Sequence, residues 1–203
     1  MTNAQPAISS DAALQRLKEG NERFLSGERH PPALIQETLR GLQFSQHPYA
    51  TILGCSDSRV PPEIIFDSGL GELFVIRVAG NVFSAEIAGS LQYAGAHLHT
   101  PLFVVLGHQG CGAVNAALMA RDEEHQHRSR IQLLVDNILP GLPSFDPQLS
   151  PAERTARAIE SNVRWTVHQI LETPEARLRL AEGNVKLVGA LFEIATGRVK
   201  FLE

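Results

Sequence analysis

Three short apolar runs constrain the fold of this chain more than any other feature. They cover residues 49–54, 73–78 and 102–106, and each is continuous rather than alternating. A continuous apolar run of this length is typical of a strand that is buried on both faces of a parallel sheet. Between the last two runs, residues 84–98 carry apolar side chains at helical spacing, with Ser84 placed to cap the helix. This order of strand, helix and strand predicts an α/β fold with a mostly parallel sheet.

The segments before the first strand predict helices. Apolar side chains at helical spacing indicate a helix over residues 11–25, with Ser10 as its N-cap, and a weaker helix over residues 32–42. Together they predict an N-terminal helical arm over residues 1–45. The α/β core then covers residues 46–203.

The segments after the third strand complete the sheet. Residues 111–120 predict a helix, and Ser150 with Glu153 forms a capping box for a later one. Residues 185–194 and 199–202 read as strands joined by a tight turn. The prediction is a sheet of about four parallel strands plus one C-terminal antiparallel strand, flanked by helices. The later helix is expected to turn five apolar side chains inward: Ile159, Val163, Val167, Ile170 and Leu171.

Length, charge and hydropathy limit the class of protein. A chain of 203 residues is expected to form a single domain over residues 1–203, and its net charge of −4 disfavours binding to nucleic acid or to an anionic membrane. No apolar stretch approaches the ~20 residues of a membrane span. We therefore expect a soluble, cytoplasmic protein that binds a small molecule or another copy of itself. Its two cysteines are then expected to be ligands, nucleophiles or core residues rather than a disulfide.

Two polar clusters follow the first and third strands. Residues 54–59 read G-C-S-D-S-R and residues 107–112 read G-H-Q-G-C-G. Open α/β sheets bind ligands at the carboxyl ends of their strands. Cys55, His108 and Cys111 supply two thiolates and an imidazole, which suit Zn²⁺, while Asp57 either takes the fourth position or leaves it to water. For any one of these residues alone, a small buried cysteine or a hydrogen-bonded histidine is the better interpretation, but the two clusters together favour a metal site.

The same clusters carry a resemblance to a known family. Residues 55–59 match the C-x-D-S-R signature of β-class carbonic anhydrases, and residues 107–112 match their G-H-x-x-C-G signature. The similarity continues through residues 71–77 and covers about residues 46–114. The chain therefore resembles a zinc lyase that hydrates CO2 reversibly to bicarbonate and a proton by zinc-bound hydroxide. The resemblance implies one Zn²⁺ per chain, held by Cys55, His108 and Cys111, with Asp57 and Arg59 as the catalytic pair.

The resemblance also implies a substrate pocket. Gln46 matches the glutamine that binds bicarbonate, and Phe74, Ala79, Tyr93 and Gly112 match residues around the apolar CO2 pocket. Some of these residues come from a neighbouring subunit in the family, so a homodimer or a tetramer is expected. Without the resemblance, core packing would explain Phe74 and Tyr93, and a solvated loop would explain Gln46.

Some members of the family are regulated by bicarbonate at a second site built from Trp, Arg and Tyr, which brings the aspartate onto zinc. In this chain Arg77 stands at the Arg position, but Ile52 and Phe192 replace the Trp and the Tyr. An open site is therefore expected, in which Arg59 holds Asp57 and Asp57 is a fourth ligand only in a closed state.

Two departures from the family pattern alter the surroundings of the site without removing a ligand. Gln109 stands where Ser is common, and residues 77–81 read R-V-A-G-N where many relatives read R-N-V-A-N. His125 and His127 lie in a charged connection and act either as proton relays or as surface residues.

Three other functions remain open at this point. Hydrolysis of carbonyl sulfide or carbon disulfide would use the same metal, because those substrates are also linear and apolar. A non-catalytic zinc-binding or bicarbonate-binding subunit is disfavoured by the intact Asp57, Arg59 and Gln46. A thiol redox function is disfavoured because the sequence has no C-x-x-C pair.

Overall fold

The central sheet has the predicted composition of strands. The computed structural model describes residues 8–30, 35–122 and 129–202, except for the side chains at 35 and 36. The strands are β1 (Ala50–Gly54), β2 (Leu73–Arg77), β3 (Leu102–His108), β4 (Lys186–Glu193) and β5 (Arg198–Leu202). Across the described residues the sheet has the order β2-β1-β3-β4-β5, in which only β4 and β5 pair antiparallel. The four parallel strands and the C-terminal antiparallel strand are thus confirmed.

Helices connect and flank these strands. Short 3-10 turns occur at Ala79–Asn81 and Leu139–Gly141. Three short helices, named α3, α6 and α8 below, were not expected from the sequence. The helices are α1 (Ser10–Ser26), α2 (Ile35–Leu42), α3 (Pro62–Ile65), α4 (Ala85–Ala96), α5 (Gly112–Asp122), α6 (Ile131–Ile138), α7 (Pro151–Leu171) and α8 (Pro174–Ala181).

The start of α1 differs from the prediction by one residue. The N-cap is Ser9, whose side chain accepts a hydrogen bond from the backbone N–H of Ala12, so Ser10 is already helical. The start of the predicted second helix, at residues 32–34, lies outside the described residues, as do His125 and His127.

Helix α7 begins with the predicted capping box. The Glu153 N–H donates to Ser150 Oγ at 3.3 Å, and the Ser150 N–H donates to Glu153 Oε2 at 2.9 Å. Its inward face differs from the prediction at the C-terminal end, where Leu171 is 36% exposed. Two polar residues, Asn162 and Thr166, are buried on that face instead.

The sheet separates two apolar layers because successive strand residues point to opposite faces. Ile52 packs on one face with Val104 and with Leu17 of α1. Leu53 packs on the other face with Val105 and with Ile87 of α4. Each of these buried side chains stabilises the fold by about 1.5–3 kcal/mol.

Two glycines let α7 approach the sheet closely. A Cβ atom on Gly107 of β3 would lie 2.4 Å from Val163 Cγ2, and one on Gly189 of β4 would lie 2.9 Å from Val163 Cγ1. The Val163 side chain therefore fills the space above both glycines. This contact brings α7 to the carboxyl end of β3, beside the polar clusters.

The described helices include none that is both long and apolar enough to cross a membrane.

Candidate metal centre

The strand order places the two polar clusters side by side. Strand β1 pairs with β2 on one side and with β3 on the other, and Gly54 stands opposite Leu106 in the β1–β3 register. The gap between β1 and β3 is thus a topological switch point, where α/β sheets bind ligands. Cys55 directly follows β1, and His108 is the last residue of β3.

The three predicted ligands converge at this point. The donor atoms of Cys55, His108 and Cys111 all lie within 4.8 Å of one another, and all three side chains are buried. In the part of the chain that the structure describes, no other group of three His, Cys, Asp or Glu side chains is placed to hold a metal ion.

The orientation of the His108 ring fits a metal ligand. Its Nδ1 lies 3.0 Å from the carbonyl oxygen of Gln109, which can only accept, so Nδ1 carries the proton. The other ring nitrogen, Nε2, is buried and has no hydrogen-bond partner. A buried nitrogen whose lone pair has no partner destabilises the fold. In a metal-binding histidine, however, this lone pair is the one that binds the ion.

Gln109 helps to hold this histidine. Its N–H donates to the carbonyl of Phe192 at 2.9 Å, and its side-chain Oε1 accepts from the N–H of Ala195 at 3.0 Å. The residue that departs from the family pattern thus joins the end of β3 to the turn after β4.

The two thiols also fit a cation between them. A hydrogen bond from Cys111 lowers the pKa of the Cys55 thiol, and the same interaction together with burial raises the pKa of Cys111. Burial disfavours a charged His108, yet the neighbouring Cys55 thiolate raises its pKa. One thiolate therefore forms readily, and the second needs positive charge nearby, which a divalent ion provides.

Hydrogen bonds from the end of β2 and from the turn after it hold the loop that carries Cys55. The Gly80 N–H donates to Cys55 Sγ at 3.4 Å, and the Arg77 guanidinium donates from Nε to the Cys55 carbonyl at 2.9 Å. A second guanidinium nitrogen of Arg77 donates to the carbonyl of Asp57. The direction of the sulfur is thus set by two neighbouring segments.

Asp57 and Arg59 form a two-pronged ion pair at the edge of the cluster. Arg59 donates from Nε to Oδ1 at 2.9 Å and from Nη2 to Oδ2 at 2.7 Å. These hydrogen bonds hold the pKa of Asp57 well below its ordinary range. Asp57 Oδ2 lies 3.9 Å from His108 Nε2, so the carboxylate stands next to the donors but outside the group of three.

The residues predicted to form the substrate pocket are partly open in the single chain. The rings of Phe74 and Tyr93 lie 6.1 Å apart, with Tyr93 47% exposed. Gln46 and Gly112 are exposed, and Ala79 is half-buried.

Sequence reasoning missed the contacts of Gly80 and Asn162 around Cys55. The signal for Asn162 was present, since an amide between Ile159 and Val163 falls on the inward stripe of α7. A buried amide needs a hydrogen-bond partner, but the stripe does not say which one.

This fold and its three converging donors define a metal-binding α/β protein whose ligand types suit zinc. Residues 50–199 match the family model described as carbonic anhydrase. Carbonic anhydrase 2 of Mycobacterium tuberculosis is 39% identical to this chain over an alignment of 203 positions. The alignment covers 98% of this chain and 93% of that protein. The carbonic anhydrase of Mycolicibacterium smegmatis is 37% identical over 201 residues, covering 98% of this chain and 95% of that protein.

Solved structures agree with the sequence relatives. Tetrameric β-carbonic anhydrases from Sordaria macrospora superpose with a TM-score of 0.73 at 25% identity, covering 91% of this chain and 93% of theirs. The chain belongs to the carbonic anhydrase family, in its zinc-dependent β class. The buried, unpartnered His108 Nε2 and the two adjacent sulfurs fit that metal.

Proposed function

We propose that this chain hydrates CO2 reversibly to bicarbonate and a proton, with one zinc ion per chain held by Cys55, His108 and Cys111. The observation that carries the proposal is the convergence of these three donors within 4.8 Å at the switch point of the sheet. Zinc bound there supplies a Lewis acid that lowers the pKa of water toward ~7, so that hydroxide is available at neutral pH.

Asp57 and Arg59 orient the nucleophile in this proposal. Arg59 fixes the carboxylate in one plane by two parallel hydrogen bonds, and a carboxylate retains further lone pairs that can accept an O–H. Asp57 would accept a hydrogen bond from the attacking water or hydroxide, and this would orient a lone pair of that oxygen toward CO2. The same ion pair also holds the Asp57 carboxylate away from the donor atoms of Cys55, His108 and Cys111.

We also propose that the site stays open whatever the bicarbonate concentration. Arg77 is engaged with the carbonyls of Cys55 and Asp57, which supports a role in holding this loop rather than in binding an effector. Ile52 and Phe192 are buried, at 0% and 5% exposure, and neither offers a polar side-chain group.

A second copy of the chain completes the pocket in this proposal. CO2 is apolar and needs a dry wall around it, yet Tyr93 and Gln46 are exposed in the single chain. Covering this face with another subunit would let Phe74, Ala79 and Tyr93 line the pocket, and would let Gln46 and Gly112 contact bicarbonate. We therefore propose a homodimer or a tetramer, the latter being the assembly of the Sordaria macrospora enzymes.

We propose a cytoplasmic location with neither nucleic acid nor membrane as a partner. Cys55 and Cys111 are free thiols in this structure, and thiols that serve as ligands persist best in a reducing compartment. The net charge of −4 gives no attraction to polyanions.

The experiment is stopped-flow hydration of CO2 with zinc analysis on the same samples, for the wild type, Cys55→Ser and the exposed control Glu182→Gln. We expect about one zinc per chain and fast hydration in the wild type and the control, and loss of both in Cys55→Ser. A zinc-loaded wild type that does not hydrate CO2 would support the non-catalytic alternative. Faster turnover of carbonyl sulfide than of CO2 would show that carbonyl sulfide, rather than CO2, is the substrate.

A further inference from the structure

The turn after β2 touches the sulfur of Cys55 through one backbone group. Gly80 has a left-handed conformation, with φ of 72°, and its N–H donates to Cys55 Sγ at 3.4 Å. A Cβ at this position would lie 2.9 Å from Ile138 Cδ1 and 3.0 Å from the Cβ of Ala113. The turn therefore needs glycine for both conformation and space, and glycine by itself does not hold one conformation.

Helix α7 supplies the group that holds this turn. Asn162 Nδ2 donates to the carbonyl of Gly80 at 2.8 Å, and the Asn162 side chain is 1% exposed. One turn further along α7, Thr166 Oγ1 donates to the carbonyl of Asn81 at 3.2 Å and is equally buried. Two polar side chains on an apolar helix face thus donate hydrogen bonds to consecutive carbonyls of the same turn.

The two anchors differ in what lies beyond them. Asn162 holds the residue whose own N–H meets Cys55 Sγ, so both backbone groups of Gly80 are fixed at once. Thr166 holds the next carbonyl, that of Asn81, which lies one residue beyond the Gly80 N–H. Loss of the Asn162 amide would free the φ and ψ angles of Gly80, and the N–H would no longer be directed at the sulfur.

We propose that Asn162 is a positioning residue for the metal centre. It acts on Cys55 through the backbone of Gly80, whose carbonyl it binds and whose N–H donates to the sulfur. The proposal rests on the proposed function in one respect, namely that Cys55 is a zinc ligand. Asn162 touches neither metal nor substrate. It pre-orients a thiolate ligand by fixing the hydrogen-bond donor of that thiolate, as the outer partners of metal ligands do.

The test compares Asn162→Leu with Thr166→Val in the full-length protein. Both changes keep the number and the branching of the side-chain heavy atoms, and each leaves one buried carbonyl of the same turn without its donor. Zinc affinity is measured by competition with a chromophoric chelator. The absorption of the cobalt-substituted protein is recorded as well, because thiolate-to-cobalt charge transfer reports the sulfur environment.

For Asn162→Leu we expect a zinc dissociation constant about 10-fold higher than that of the wild type and a shifted charge-transfer band. For Thr166→Val we expect both readouts to match the wild type, although thermal stability falls as it does in Asn162→Leu. Equal zinc affinity and equal spectra for Asn162→Leu and the wild type would overturn the proposal, as would equal losses in both variants.

The experiment also covers a variant that does not fold and a wild type that binds no zinc. If Asn162→Leu does not fold, Asn162→Ala replaces it, because the smaller side chain lets water reach the Gly80 carbonyl while the amide is still absent. The same criteria then apply. A wild type that binds no zinc overturns the proposed function and this inference together, whereas a zinc-binding wild type with an unaffected Asn162 variant overturns only the inference.

Discussion

Arg59 binds Asp57 through two N–H groups on one edge of its guanidinium rather than through a single charged atom. Two of its nitrogens each face a different carboxylate oxygen, at 2.9 and 2.7 Å, although the Arg59 side chain is 54% exposed. An exposed ion pair contributes little to stability. Its value in this site is geometric, because the fork fixes the plane of the Asp57 carboxylate.

Replacement of Arg59 should therefore affect turnover more than folding. For Arg59→Ala we expect kcat/KM for CO2 hydration to fall about 100-fold with zinc retained, since Asp57 becomes free to turn toward the metal. Arg59→Lys should be intermediate, because an ammonium keeps the charge but not the fork. Stopped-flow rates with zinc analysis check this, and near-normal turnover of zinc-loaded Arg59→Ala would contradict the role given to the pair.

Asp67 is a second carboxylate whose surroundings predict a pH effect, this time on stability. Its side chain is 7% exposed and lies 2.7 Å from Arg23 Nε, and it also accepts the His30 N–H at 3.1 Å. Burial alone would raise the pKa of Asp67, but these partners lower it overall. A carboxylate with a depressed folded-state pKa stabilises the fold above its ordinary pKa, and this contribution is lost as the pH falls through the folded value.

For Asp67→Asn we expect a loss of about 1–3 kcal/mol of unfolding free energy at pH 7. The difference from the wild type should shrink as the pH falls below about 4, where the unfolded carboxyl becomes protonated. Urea unfolding at several pH values measures this. The control Asp11→Asn, whose carboxylate pairs with Lys186 while 77% exposed, should change stability by less than about 1 kcal/mol at every pH. A pH-independent Asp67→Asn difference would contradict the argument.

The residues of this site differ in how well the sequence predicts them. Cys55, His108 and Cys111 were predictable because each lies next to a recognisable strand end and the ligand types are specific. The Gly80 contact was not, since the turn joins β2 to α4 and its anchor, Asn162, lies 82 positions away. Such a pairing depends on how α7 packs, which no local pattern encodes.

Among the elements, α7 depends on the absence of two side chains in the sheet. The methyl groups of Val163 occupy the positions that Cβ atoms would take on Gly107 and Gly189. Since Asn162 precedes Val163, the depth at which α7 packs also sets the reach of the Asn162 amide toward Gly80.

A Gly107→Ala substitution should lift α7 from the sheet. We expect a loss of about 1–3 kcal/mol of unfolding free energy from overpacking against Val163. Combining it with Val163→Ala should recover part of that loss, giving a coupling energy of about 0.5–3 kcal/mol in a double-mutant cycle. Denaturant unfolding of the four proteins measures this. The control Gly41→Ala in α2, where an added Cβ meets nothing within 4 Å, should not be destabilising, and additive losses in the cycle would contradict the packing argument.

The elements found and missed by sequence differ in their length and periodicity. The continuous runs that became β1, β2 and β3 were clear because a buried parallel strand leaves little room for polar residues. Helix α3 has four residues, too few to show a period, and α8 has eight residues, none of them buried. Short helices of this kind are stabilised by their surroundings and leave a weak signal in the sequence.

At the scale of the whole molecule, the predicted pocket remains open at one side. Phe74 lies on β2, an edge strand of the sheet, and its ring neighbour Tyr93 is 47% exposed. An apolar wall at the surface of one chain is expected to be covered by another. The proposed division into an arm over residues 1–45 and a core over residues 46–203 stays a prediction.

We expect the protein to sediment as a dimer or tetramer of its 22.2 kDa chain at micromolar concentration. Activity per zinc should fall on dilution below the dissociation constant of the oligomer, because separate chains would leave the CO2 pocket open to water. Analytical ultracentrifugation and hydration rates over the same concentration range measure the two quantities. A monomer with full activity per zinc would contradict the proposal that a second copy completes the site.

Two loops far apart in sequence hold one metal ion between them in the function proposed for this chain. Anomalous diffraction at the zinc absorption edge, from crystals of the purified protein at neutral pH, tests it most directly. We predict one peak per chain within bonding distance of Cys55 Sγ, His108 Nε2 and Cys111 Sγ, with Asp57 still paired to Arg59. Zinc-supplemented crystals without a peak between those three atoms, or with the ion bound elsewhere, would contradict the account.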